Sequence, residues 1–191
     1  MGYPKYLVLS LPRSRSAWLS VFLSNGGTCG HDMATLCPST AEVRRVWSTV
    51  EGSCETGAMI AGPLLKKWFP ETTFMVIRRD TQEVIDSLRY FLGPYFDAGE
   101  IRARAAMLDK FAADNKIAAV DYVALADKTM CEALFLHLTG RYCPAGWWDR
   151  MARLNIQIDN KSWLRMLIQN RSRLQKLKDD LAREIQESEN A

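Results

Sequence analysis

Several features that many proteins depend on are missing or scarce in this 191-residue chain. It has no run of about 18 apolar residues, so we expect no membrane-spanning helix and no membrane partner. The net charge is only +3, which is too small to predict a nucleic-acid partner. The five cysteines are odd in number and form no C-x-x-C pair, which argues against a disulfide framework or a zinc site and favours a reduced, cytoplasmic location.

A Walker phosphate loop is also missing. That motif requires glycines and a lysine, and the stretch from Leu9 to Trp18 contains neither residue type. The missing lysine counts against ordinary hydrolysis of ATP or GTP.

The same stretch nevertheless carries an anion-binding pattern. The apolar run from Tyr6 to Leu9 predicts a buried strand, and a helical pattern resumes at Ala17. Residues 13–16, Arg-Ser-Arg-Ser, lie between them. A strand that turns into a helix directs backbone N–H groups and a helix N-terminus toward one point, which favours a phosphate or sulfate group. Arginine and serine side chains would add charged and hydroxyl contacts.

A second strand–loop–helix unit follows further along the chain. Residues 73–79 predict a buried strand with a basic end. Asp80 and Glu83 have the spacing of a capping box, so a helix should begin at about position 81. Strand alternation places Arg78 and Arg79 on opposite faces of the sheet, and we favour Arg79 as the ligand of an anion.

The first unit resembles the 5′-phosphosulfate loop of the sulfotransferase superfamily, typically P-K-S-G-T-T-W. Three positions are identical, namely Pro12, Ser14 and Trp18. Two positions hold related residues, Arg13 for the lysine and Ser16 for the first threonine. Arg15 replaces the glycine and Ala17 replaces the second threonine, which are departures from the family pattern.

The second unit resembles the family's strand ending R-N-P-K-D-V-x-x-S, which holds the 3′-phosphate of the donor nucleotide. Arg79, Val84 and Ser87 reproduce its spacing, whereas Asp80 and Thr81 differ from the family's N-P. In addition, residues 118–125 are similar to the family's strand ending Y-E-D-L.

These similarities span roughly residues 5–140, and the chain resembles the small sulfotransferase-like proteins of tailed bacteriophages, which implies the host cytoplasm as its location. The resemblance implies binding of 3′-phosphoadenosine 5′-phosphosulfate as donor, without a metal. The donor-binding residues it implies are Arg13, Ser14, Arg15, Ser16, Ala17, Trp18, Arg79 and Ser87.

Short apolar strands that alternate with helices predict an α/β fold with a parallel sheet flanked by helices, and the resemblance implies the P-loop-like, sulfotransferase type. Strands are expected at 5–11, 73–78 and 117–122. Helices are expected at 16–24, 40–49, 57–69 (kinked at Pro63), 81–92, 98–114 and 128–138. Residues 1–145 would form the nucleotide-binding core, and 146–191 a C-terminal helical extension packed on it. The extension contains an amphipathic helix of roughly 28 residues, which would dock on its own domain, form a homodimer contact or cover the substrate.

Transfer to a hydroxyl or amine requires a general base within hydrogen-bonding reach. Asp32 stands where several sulfotransferase branches place a catalytic Glu, and His31 lies beside it. Glu55 lies where other branches carry a strand-end histidine, and we rank it behind Asp32 and His31. Arg13 would stabilise the leaving phosphate.

Other parts of the site stay open at this stage. The resemblance implies an acceptor pocket built from variable loops, here 25–60 and 92–102. Four aromatic residues are expected mostly in the core, one of them being a candidate to stack on adenine. They are Trp18, Tyr90, Phe91 and Tyr95.

Three functions are therefore open. The first is transfer of a sulfuryl group from 3′-phosphoadenosine 5′-phosphosulfate to an unidentified small-molecule or macromolecular acceptor. The second is a nucleotide-dependent phosphotransferase on a P-loop-like scaffold. The third is a non-catalytic phage accessory protein that keeps the fold and binds a partner through its long C-terminal helix. The departures at Arg15 and Ala17 keep this third function open.

Overall fold

A five-stranded, all-parallel sheet organises the chain. The computed structural model describes residues 2–93, 96–156 and 160–190. The strands are β1 (Tyr6–Ser10), β2 (Cys29–His31), β3 (Gly52–Glu55), β4 (Thr73–Arg78) and β5 (Ala119–Asp121). Their order across the sheet is β2-β3-β1-β4-β5, so β1 lies at the centre between β3 and β4.

Eight α-helices occur among the described residues. They are α1 (Ser16–Leu23), α2 (Thr40–Trp47), α3 (Gly62–Trp68), α4 (Thr81–Leu92), α5 (Ala98–Asp114), α6 (Lys128–Thr139), α7 (Trp147–Met151) and α8 (Asn160–Glu189). The predicted α/β fold with a parallel, helix-flanked sheet is confirmed at this level.

Three strands and most helices lie where the sequence predicts them. The capping prediction for α4 is confirmed, since Asp80 accepts from the Glu83 amide, and Ser39 caps α2 in the same way by accepting from the Glu42 amide. The predicted kink at Pro63 is wrong. A 3-10 helix over Ala58–Ala61 ends there, and the proline occupies the first turn of α3, where its missing N–H is not needed.

Two strands, β2 and β3, were not predicted. They have three and four residues and no β-branched or long apolar run, so local propensity gives no signal for them. Pairing with β1 defines β3, and it requires glycine at position 52, because a Cβ there would collide with the Tyr6 ring.

The core lies on both faces of the sheet because successive residues of β1 point in opposite directions. Leu7 and Leu9 pack with residues of α2, α3, α4 and α5 on one face. Tyr6 and Val8 pack with residues of α1 and α6 on the other face. Both layers of helices hold the central strand, so the loop after β1 starts from the most buried part of the molecule.

The helix α8 docks on the core through its C-terminal half. Leu177 and Leu181 are buried there, and Glu184 accepts from Thr40 and pairs with Arg44 at 3.3 Å. This half of the helix therefore contacts its own chain, while the homodimer contact and the cover over the substrate stay predictions. Over the described ranges, no helix is both long and apolar enough to cross a membrane.

Candidate functional site

A cavity of about 750 Å³ opens at the carboxyl ends of the strands. Ligands of open α/β sheets bind at this edge, where the connections after neighbouring strands leave in opposite directions. Here the connection after β1 runs toward β2 and the connection after β4 runs toward β5, so the crevice lies between β1 and β4. The polar lining consists of Arg13, Arg15, Ser16, His31, Asp32, Thr56, Arg79, Ser87, Tyr122, Arg153 and Asn155.

The loop between β1 and α1 has a strained backbone. Arg13 has a φ of 64° and Arg15 a φ of 59°, the left-handed region that residues with a Cβ rarely adopt. Asp32, on the opposite wall, has a φ of 48°. Three of the four non-glycine residues with positive φ in the described part of the chain thus line this one cavity. Each such residue costs roughly 1 kcal/mol or more, and strain of this kind concentrates at functional sites.

Position 15 has a left-handed backbone although arginine, and not glycine, stands there. Arg15 stands where the resembling loop has glycine, and its left-handed backbone is one that glycine adopts without cost. Arg15 also occupies the N-cap position of α1. An arginine side chain has no acceptor, so it cannot cap the N–H groups of the first helical turn. An anion is the natural acceptor for those groups.

The two strand–loop–helix units meet at this loop. Arg13 Nε donates to Ser87 Oγ over 3.2 Å, which joins the first loop to α4. Arg79 donates to the backbone carbonyl of Arg13 and also lies 3.2 Å from Glu83 Oε2. Arg78 points away from the cavity and pairs with Asp109 at 3.1 Å, as strand alternation predicts. The structure therefore brings Arg13, Arg79 and Ser87 together.

The electrostatic character of the cavity is strongly positive. Four arginines line it, whereas Asp32 is the one carboxylate among its described lining residues. The guanidinium groups of Arg15 and Arg79 lie 5.6 and 4.5 Å from the centre of the Tyr122 ring. Contact with the ring orients the two charges, and Arg15 Nη1 also donates to the Leu125 carbonyl over 3.2 Å. Such an arrangement suits an anion with several negative charges.

The candidate bases His31 and Asp32 lie on the wall formed by β2 and β3. His31 Nε2 is 3.0 Å from Ser16 Oγ and 3.5 Å from Asp32 Oδ2. Thr56 holds Asp32, its amide donating to Oδ1 over 2.6 Å and its hydroxyl lying 3.0 Å from the same oxygen. In a Ser-His-Asp triad the serine and the carboxylate contact opposite ring nitrogens, whereas here both approach Nε2. The arrangement is thus not that of a hydrolytic triad.

Glu55 does not line the cavity, in contrast to the other two candidate bases. It is buried behind the loop, where its Oε1 accepts from Met33 N (3.0 Å), Trp47 Nε1 (2.9 Å) and Ser53 Oγ (2.5 Å). Burial, together with the charge of Asp32, raises the pKa of Glu55 to about 7. Because Glu55 binds the amide that follows Asp32, it positions the turn that carries His31 and Asp32.

The remaining predicted donor-binding residues have different surroundings. Ser14 is fully buried, and its Oγ has no hydrogen-bond partner among the described residues. Ala17 lines the cavity. Trp18 also contacts it but is mostly buried, stacking on Phe22 and donating to the Met151 carbonyl over 2.8 Å. Trp18 therefore ties α1 to α7 and supports the loop from below.

Sequence reasoning missed part of the lining. Thr56 and the segment around α7, including Trp148 and Arg153, contribute to the cavity, and no local pattern marks them. Tyr122 lies in the segment 118–125, which the sequence marks as a strand and its end and does not assign to the site.

The other three aromatic residues that the sequence singled out have separate outcomes. Tyr90, expected mostly in the core, is 94% exposed and lies outside the cavity lining. Tyr95 lies outside the described residues, as does the side chain of Phe91. Tyr122 is the described tyrosine that the fold brings into the cavity.

The chain matches no model of a known protein family, and it matches none of the curated proteins with which it was compared. Within the described ranges, no three His, Cys, Asp or Glu side chains cluster as metal ligands would. The functional argument therefore depends on the residues and geometry of the cavity.

Proposed function

We propose that the cavity at the carboxyl ends of the strands binds 3′-phosphoadenosine 5′-phosphosulfate and that the protein transfers its sulfuryl group to a hydroxyl or amine acceptor, on a fold of the sulfotransferase type. The observation that carries this proposal is the convergence of two anion-binding units. The strained loop after β1 and the helix α4 meet through Arg13 and Ser87, in a cavity lined by four arginines and one carboxylate. A nucleotide with phosphate groups at both ends of its ribose matches two such units.

The residues present fit a doubly phosphorylated nucleotide. The buried, unpartnered hydroxyl of Ser14 and the uncapped first turn of α1 both lie in the loop that would hold the 5′-phosphosulfate. Arg13 and Ser16 would contact the same group. Arg79 and Ser87 would hold the 3′-phosphate, because Arg79 lies between β4 and α4, Ser87 lies in the second turn of α4, and both line the cavity.

In this proposal His31 receives the proton of the acceptor group. Its Nε2 faces Ser16, a residue of the donor loop, so a nucleophile beside it lies next to the transferred group. Asp32 lies 3.5 Å from the same nitrogen and would stabilise the imidazolium that forms. Glu55 acts indirectly, by holding the turn through Met33.

Calorimetric titration tests the proposal most directly. The ligands are 3′-phosphoadenosine 5′-phosphate, ADP, and ATP with Mg²⁺, each titrated into the full chain. We expect tighter binding of the 3′-phosphorylated nucleotide, because only that nucleotide engages both anion-binding units.

The other outcomes lead to different functions. Preference for ATP with Mg²⁺ would refute the proposal and favour a phosphotransferase. Absence of binding by all three nucleotides would also refute it and favour an accessory protein that acts through a partner.

A further inference from the structure

A second cavity, of about 620 Å³, lies beside the first. Its volume falls within the range of about 300–1,000 Å³ that is usual for small-molecule sites. Mostly apolar side chains of α2, α3, α4 and α5 form its walls, and the middle of α8 covers it. The two cavities share Pro12, Asp32, Thr56 and Leu88, so a ligand of the second cavity would lie next to the candidate base.

The cavity wall carries an unsatisfied cationic donor. Arg104 Nε is buried and has no acceptor among the described residues, while Arg104 Nη2 donates to Glu100 Oε1 over 2.6 Å. Lys178 lies 3.9 Å from the same Glu100 oxygen, so two cations share one carboxylate. The other two acids of the lining have partners of their own, since Asp97 accepts from the amides of Gly99 and Glu100, and Asp32 accepts from the amide of Thr56. Arg171 adds a further positive charge to the lining.

We propose that this second cavity binds a small apolar carboxylate, with the carboxylate at Arg104 and the apolar body between α4, α5 and α8. A buried donor without an acceptor is unfavourable, and a carboxylate on the ligand would satisfy it through a charge-assisted hydrogen bond. The apolar walls bind the remainder of the molecule. A ligand of this class that also carries a hydroxyl or amine could accept the sulfuryl group at that group; this role rests on the proposed function, whereas binding of the carboxylate does not.

The first test compares two probes on the full chain without nucleotide. The probes are 1-naphthoate and 1-methylnaphthalene, which differ only in the carboxylate. Methionine-methyl NMR locates them, because Met166 lines the cavity and Met130 on α6 is exposed outside it. We expect ring-current shifts at Met166 and not at Met130, and at least about tenfold tighter binding of 1-naphthoate.

Three variants test the role of the guanidinium. Arg104→Met should weaken 1-naphthoate binding at least about tenfold and leave 1-methylnaphthalene within about twofold. Arg102→Met, on the exposed side of α5, is the matched control and should change neither affinity. Glu100→Gln removes the competing carboxylate and should strengthen 1-naphthoate binding. Thermal melting of each variant verifies its fold.

Each contrary result overturns the proposal. An unshifted Met166 methyl would exclude the cavity as the site, and equal affinities for the two probes would exclude the carboxylate preference. A nucleotide titration of the same samples separates the two proposals. Binding of 1-naphthoate without binding of nucleotide would support this site and refute the proposed function. Binding of nucleotide without binding of 1-naphthoate would refute this site and leave the proposed function in place.

Discussion

Replacement of Arg79 by alanine tests the assignment of the 3′-phosphate. The Arg79 side chain is only 18% exposed and lies over the Tyr122 ring, so it is ordered and weakly screened by salt. A hydrogen bond between charged groups contributes about 1.5–3 kcal/mol. We therefore expect Arg79→Ala to weaken binding of 3′-phosphoadenosine 5′-phosphate roughly 10- to 150-fold.

The assay must separate loss of a phosphate contact from a disturbed loop, because Arg79 also donates to the Arg13 carbonyl. Calorimetric titration with AMP, which lacks the 3′-phosphate, makes this separation. If Arg79 contacts the 3′-phosphate, the variant loses affinity for the bisphosphate and keeps its affinity for AMP within about twofold.

Arg78→Ala is the matched control. Arg78 is the neighbouring residue, but it lies on the opposite face of the sheet and pairs with Asp109 at 3.1 Å. Its removal should leave both affinities unchanged. Equal losses for the two nucleotides in Arg79→Ala, or the same loss in Arg78→Ala, would refute the reasoning.

Three further predictions concern stability, measured by urea unfolding. The raised pKa of Glu55, about 7, means that the folded state binds this proton more tightly than the unfolded state, so the free energy of unfolding should fall as pH rises from 5 to 7. Glu55→Gln should flatten this pH dependence by up to about 1.4 kcal/mol per pH unit, and equal slopes for the variant and the unchanged protein would contradict the prediction. Gly52→Ala should cost about 1–3 kcal/mol because its Cβ meets a buried ring, whereas Gly57→Ala should change stability by less than about 0.5 kcal/mol. Leu177 on α8 is 3% exposed, so Leu177→Ala should lower the free energy of unfolding by about 2 kcal/mol or more. Ile168 on the same helix is 71% exposed, so Ile168→Ala should lower it only slightly, and equal losses would mean that α8 does not dock as described.

Local signals in the sequence were sufficient for much of the fold. The long apolar strands β1 and β4 and the helices with capping residues, such as α4 after Asp80, lie close to their predicted positions. Hydrophobic periodicity and capping act within a few residues, so a sequence displays them directly. The short strands β2 and β3 carry no such signal, since pairing in the finished sheet defines them.

The candidate site divides in the same way. The sequence by itself determined the two strand–loop–helix units, because a basic loop between a buried strand and a helix is a local pattern. Strand alternation also separated Arg79 from Arg78. Only the tertiary structure decided that Arg13 reaches Ser87, that Tyr122 lies beneath two arginines and that Glu55 is withdrawn from the cavity. These relations depend on the order β2-β3-β1-β4-β5, which brings together residues far apart in the chain and leaves no local trace in it.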